Sequence, residues 1–127
     1  MNCVYTPSDK LLEIEITEEI DHHTTEKIRR RVDYEIQRHM PRKTIFDFNN
    51  VTFMDSAGIG MIIGRYKISS AFGGTLELIN VRPNIKRILE MSGVSKLVGM
   101  NEPESIIKEK LFNEKFVWKW NETWNFK

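Results

Sequence analysis

At 127 residues, with 19 basic against 18 acidic side chains, the chain suits one domain and lacks the basic excess of a dedicated nucleic-acid binder. Cys3 is its only cysteine, which excludes a disulfide framework and a cysteine-based zinc site. No apolar run approaches the roughly 20 residues needed to cross a bilayer. The first ten residues are polar and carry Pro7, unlike a secretory signal, so a cytoplasmic location without membrane contact is expected.

Taken in chain order, Leu12, Ile14 and Ile16 alternate with Glu13, Glu15 and Thr17, the period of a half-buried strand. Cys3 to Thr6 is expected to pair with it through a turn at Pro7-Ser8-Asp9. Ile28, Val32, Ile36 and Met40 then recur every four residues among charges, predicting an amphipathic helix over 24–39 that Pro41 ends. The Arg29-Arg30-Arg31 run reads as a solvated face of that helix. Thr44 to Phe48 is a second central strand, and Asn49-Asn50 turns the chain.

A helix follows from Ser56 to Phe72, stopped by Gly73-Gly74. Thr75 to Val81 alternates again, with Leu76, Leu78 and Asn80 on one face, and reads as a third central strand. Pro83 opens a helix with an Ile85, Ile88 and Leu89 stripe, and Gly93 is its expected C-cap. Lys96 to Met100 reads as a short last strand, and Asn101-Glu102-Pro103-Glu104 as the start of a final helix reaching Phe112. Alternating strands and helices imply a mostly parallel α/β sheet, with the leading hairpin as an antiparallel edge and about four helices.

The densest chemical information lies in 53–67, Phe-Met-Asp-Ser-Ala-Gly-Ile-Gly-Met-Ile-Ile-Gly-Arg-Tyr-Lys. Here a strand ends, Asp55 and Ser56 follow, and a glycine-spaced helix begins. Ser56 is read as that helix's N-cap, its hydroxyl accepting from first-turn N–H groups. A phosphate fits the same place, because free N–H groups and the helix dipole favour an anion there. Gly58 and Gly60 leave the first turn bare for the approach of a partner.

This segment resembles the signature of bacterial anti-sigma factor antagonists of the STAS domain family. Ile20-Asp21-His22-His23-Thr24 matches the approach to the family's first helix, and the run from Ile85 to Gly93 resembles its third helix and glycine stop. The Asp-His-His-Thr and Gly-Arg-Tyr-Lys stretches are most similar to the sporulation branch. The resemblance implies the STAS fold over 1–112, with an aromatic-rich tail, 113–127, that has no counterpart. It implies phosphorylation of Ser56 by the anti-sigma factor, itself a serine kinase holding ATP or ADP, and reversal by a serine phosphatase. This chain would carry no cofactor. The implied partner-facing residues are Asp21, His23, Thr24, Asp55, Ser56, Ala57, Gly58, Gly60, Met61 and Arg65. Two positions depart from the pattern: Ala57 stands where many members have a hydroxyl residue, and Glu18 where a glycine is usual.

Other chemistries are weaker. Asp21, His22 and His23 would need convergent geometry to hold a metal, and adjacent side chains diverge; Asp21 otherwise reads as a helix N-cap. A hydrolase built on Asp21, His23 and Ser56 lacks the Gly-x-Ser-x-Gly elbow, and the glycines at 58, 60 and 64 lack the Gly-Lys-Ser/Thr of a phosphate loop. No enzymatic activity is expected. The tail holds Trp118, Trp120 and Trp124, with Phe116 alternating into the same pattern; packing on the domain's own helices or sheet edge, a surface for self-association or a partner, and a disordered end are its readings.

Overall fold

The computed structural model describes residues 1–101. Its elements run β1 (Asn2–Thr6), β2 (Leu11–Glu15), α1 (Thr25–His39), β3 (Lys43–Asp47), α2 (Ser56–Ala71), β4 (Thr75–Ile79), α3 (Pro83–Ser92) and β5 (Gly99–Asn101). A single 3-10 turn, Val94–Lys96, links α3 to β5. The strands form one sheet in the order β1-β2-β3-β4-β5, with β1 antiparallel to β2 and the remaining pairs parallel.

That order has a geometric consequence. Parallel crossovers are right-handed, because a right-twisted strand leading into a right-handed helix packs back onto the sheet only that way. Three crossovers stepping in the same direction therefore place α1, α2 and α3 on one face. Strand alternation supplies that face with Leu12 and Ile14 of β2, Phe46 of β3, and Leu76 and Leu78 of β4. The helices answer with Ile28, Val32 and Ile36 of α1, Met61 and Ile62 of α2, and Ile85 and Leu89 of α3, all in one buried cluster.

The punctuation residues act as their chemistry dictates. Met40 ends α1 in the left-handed region at φ 45°, its N–H donating to Ile36 O at 2.7 Å, and Pro41 follows. Pro83 occupies the first turn of α3, and Gly93 takes φ 85° as its C-cap, which costs glycine little. Gly74 is required for space: a Cβ there would lie 2.5 Å from the Pro41 carbonyl oxygen.

Several boundaries differ from expectation. The strand expected from Lys96 begins only at Gly99, because Lys96 closes the 3-10 turn. β4 ends at Ile79, and Asn80 turns out of the strand at φ 59° instead of sharing the face of Leu76 and Leu78. The expected final helix to Phe112 and the tail 113–127 lie outside the described residues.

Gly74→Ala should destabilise the fold by about 1–3 kcal/mol, the usual range for forcing a methyl into filled space. A backbone carbonyl cannot rotate aside as a side chain can. A lower urea midpoint at unchanged m would show it; an unchanged midpoint would mean that the close approach is relieved elsewhere.

Candidate functional site at the start of the second helix

Two loops meet beyond the parallel strand ends. An isolated parallel bridge joins Ile20 to Met54, with Ile20 N–H donating to Phe53 O at 3.1 Å and Asp55 N–H to Ile20 O at 3.0 Å. Ile20 and Met54 are both buried, so the bridge is anchored in the core. It sets the loop leading into α1 beside the first turn of α2.

Asp55 fastens the two together. It is extended at φ −101°, ψ −174°, and its Oδ1 accepts from Ala57 N–H at 2.8 Å, which makes it the N-cap of α2. Its Oδ2 accepts from His22 N–H at 3.3 Å, with the His22 Nδ1 3.6 Å away. An ionised carboxylate offers only acceptors, and both oxygens are used on donors of different loops. Ser56 is therefore not the N-cap that its position suggested. It is the first helical residue, exposed, and its hydroxyl has no hydrogen-bond partner among the described residues.

The Asp21–Thr24 loop is fixed by its own bonds. Asp21 Oδ1 accepts from His23 N–H at 2.8 Å and from Thr24 N–H at 3.0 Å. In return Thr24 Oγ1 accepts from Asp21 N–H at 3.0 Å and donates to Glu19 O at 2.6 Å. Asp21 thus closes a turn just ahead of α1, whereas Thr24 is the positional N-cap and makes no side-chain cap bond. The His23 N–H bond, ahead of the Thr24 bonds, holds the Asp21 carboxyl below its usual range despite opposition from desolvation. Glu18 also stays low: burial pushes it up, but the Lys27 ammonium 3.0 Å away and the N-terminal charge outweigh that. The residue that replaces the family's glycine is thereby tied to α1.

The expected partner-facing residues divide into two groups. Asp21, His23, Thr24, Asp55, Ser56, Ala57 and Gly60 lie at least partly exposed around the junction. Nothing lies within 4 Å of a Cβ added at Gly60, so this turn is open. Gly58, Met61 and Arg65 are buried instead. A Cβ at Gly58 would lie 2.4 Å from Met54 Cγ and 2.9 Å from Ile20 Cγ2, so this glycine serves the bridge and not a surface. Arg65 is 6% exposed and turns to Asp33 of α1, with Nε 2.7 Å from Oδ1 but outside hydrogen-bond alignment. Burial lowers the Arg65 pKa, and Asp33 opposes that.

Sequence reading missed the charge chain that Arg65 joins. From Asp33 it continues to Arg29 at 3.7 Å, and from Arg29 to Glu26, which also holds Arg30 at 2.9 Å. The i, i+3 and i, i+4 spacings within α1 were legible. The contact with α2 was not, since nothing in sequence links residues 33 and 65. The same chain lines a groove of about 170 Å³ between Thr25, Arg29, Ala57 and Gly60.

His22 and His23 stack tilted with ring centroids 3.9 Å apart. Among the described residues, no three His, Cys, Asp or Glu side chains are grouped to hold a metal. No helix there is long and apolar enough to cross a membrane.

Residues 4–112 match the STAS domain model. The chain belongs to the STAS domain family. It is 36% identical over 94 residues to an anti-sigma F factor antagonist of Paenibacillus polymyxa, covering 74% of this chain and 80% of that protein. An anti-sigma-B factor antagonist of Staphylococcus aureus is 28% identical over 102 residues, covering 80% and 94%. Among solved structures, the unphosphorylated anti-sigma factor antagonist SpoIIAA superposes with a TM-score of 0.71 at 26% identity, covering 85% of this chain and 93% of that one. The phosphorylated form of the Bacillus cell fate determinant SpoIIAA gives 0.65 at 26% identity, covering 85% and 96%. The expected STAS fold is thus the observed one, with three helices among the described residues where about four were expected.

The division of roles between two adjacent residues is testable. Asp55→Ala should lower stability by about 0.5–2 kcal/mol, the usual loss for a helix cap. Ser56→Ala should stay within about 0.5 kcal/mol of wild type, as expected for an exposed residue without partners. Equal losses in urea unfolding would return the capping role to Ser56. The low Asp21 pKa gives the loop an acid dependence: its contribution is present above the ordinary aspartate range and is lost as pH falls through the depressed folded value. The Asp21 side-chain carboxyl carbon should therefore titrate below the ordinary aspartate range in an NMR pH series, and titration within that range would remove the loop's acid dependence.

Proposed function

We propose that this STAS domain is an anti-sigma factor antagonist that works by partner switching. The unphosphorylated chain binds an anti-sigma factor kinase, and the sigma factor held by that kinase is released. The kinase transfers the γ-phosphoryl group of ATP to Ser56 Oγ, leaving ADP, while the hydroxyl proton passes to a base on the kinase. The modified antagonist then dissociates, and a serine phosphatase restores it by hydrolysis.

The observation that carries this reading is the exposed, unpartnered hydroxyl of Ser56 on the first residue of α2. A kinase can reach it without breaking a bond of the fold. Relatives named as anti-sigma factor antagonists support the class, and a SpoIIAA structure named for its phosphorylated form supports the chemistry. The match to anti-sigma F factor antagonists favours a sporulation pathway. The anti-sigma-B relative supports a stress-response switch as the second reading.

The cap assignment sharpens how the phosphate would act. A phosphoserine adds about −1.5 to −2 charges at neutral pH. Here they arrive next to the Asp55 carboxylate, whose oxygens already hold the donors from Ala57 and His22. The added charge consequently faces outward to the partner. About 1.4 kcal/mol of lost binding changes an affinity tenfold, well within what a like-charge contact at a desolvated interface produces. The partner-facing surface is then the junction of the two loops, with Asp21, His23 and Thr24 on one side and Asp55, Ser56, Ala57 and Gly60 on the other.

Ser56→Asp should weaken binding to the cognate kinase at least tenfold in calorimetry, and Ser56→Ala should bind yet take up no phosphate. Wild-type affinity for the aspartate variant would sink the charge switch. Phosphate mapped by mass spectrometry to another residue would remove the site assignment while leaving the antagonist reading in place.

A further inference from the structure

Seven large apolar side chains stand exposed among the described residues, and six of them are remote from Ser56. Those six lie on β1, along α1, at the far ends of the three helices, or in the turn beyond α3. Phe53 is the exception. It is 47% exposed and comes three residues before Ser56, so the two Cα atoms lie within about 11 Å of each other. Its backbone is held: Phe53 O accepts from Ile20 N–H at 3.1 Å, within the bridge that buries Met54. Side chains alternate across an extended segment, so with Met54 inward its neighbours Phe53 and Asp55 project outward.

The surface that continues from it has the character of an interface centre. No charged side chain occurs between Asp55 and Arg65, and Ala57, Ile59 and Gly60 are at least partly exposed. The centres of interfaces are depleted in charge and enriched in aromatic residues, and a ring that fills a pocket there carries much of the binding energy. A single exposed ring elsewhere would call for no explanation. This one stands on a fixed backbone beside the residue that the partner must reach. Given the partner-switching reading, we propose that Phe53 anchors the complex, its ring entering an apolar pocket of the anti-sigma factor kinase next to the kinase's active site. Phe53 then holds the antagonist in place, while Ser56 alone meets the ATP. Because the bridge to Ile20 already orders the backbone, little freedom is lost on docking.

The test pairs the full chain with its cognate anti-sigma factor kinase in calorimetry. Phe53→Ala should weaken binding at least tenfold, and Phe53→Leu should lose less, because a smaller apolar side chain still enters the pocket. Both should keep the wild-type urea midpoint, since the Ile20 bond uses the Phe53 backbone alone. In Ser56 phosphorylation with ATP, the Phe53→Ala defect should appear in the KM for the antagonist, with kcat unchanged at saturation. Phe72→Ala, at a position 42% exposed beyond the other end of α2, should change neither binding nor KM.

Wild-type affinity in Phe53→Ala, alongside lost binding in Ser56→Asp, would overturn the anchor and leave the charge switch standing. A loss of binding matched by a lower urea midpoint in both Phe53 variants would also overturn it, by making the ring a structural residue. Absence of binding by the wild-type chain would instead overturn the partner-switching reading, and the anchor with it.

Discussion

The handedness of the parallel crossover organises this molecule. Each connection from β2 through β5 steps the same way across the sheet, so right-handedness leaves one side for the helices. The core then has two layers, with Phe46 and Leu78 of the sheet in one buried cluster with residues of α1 and α2. All three parallel connections begin at the same end of the sheet, where the loops after β2 and β3 run side by side. The Ile20–Met54 bridge and the functional junction follow from that placement. Had the crossover from β2 to β3 stepped the other way, past β1, those two loops would have been separated by a strand.

Within this frame Asp55 carries an outsized share of local order. One oxygen starts α2 and the other holds the His22 backbone, so two elements remote in sequence are registered by one side chain. Gly58 complements it from below by admitting Met54 and Ile20 to the helix backbone. The Arg65–Asp33 contact adds a second tie between α1 and α2 further along. The surface proposed to face a partner therefore rests on a base tied at two points, although it is made of loops and a first helical turn.

Much of the fold was legible in the sequence, because its signals were local. Alternation marked β2 and β4, the four-residue spacing marked α1, and Pro83, Gly93 and Gly73 stood where chain geometry needs them. Errors arose where the deciding interaction was not local. Ser56 and Asp55 are both favoured caps, and the choice fell to Asp55 because the bridge to Ile20 sets its backbone extended. Gly58 looked like an opening for a partner, but the side chains of Met54 and Ile20, brought together by the bridge, fill the space beside it. Met61 and Arg65 share a helix with exposed neighbours, and only the position of α1 shows that they face inward.

Because Asp55 caps the helix, the identity of residue 56 is nearly independent of folding. A switch residue that also held the helix would have to tolerate its own modification, and each cycle would carry a conformational penalty. On the proposed reading, the modified and unmodified chains would draw on the same set of backbone bonds. Information written at position 56 is therefore read only by whatever docks there. The position can accept acidic, neutral or bulky replacements as a recoding site, with the domain beneath it unchanged.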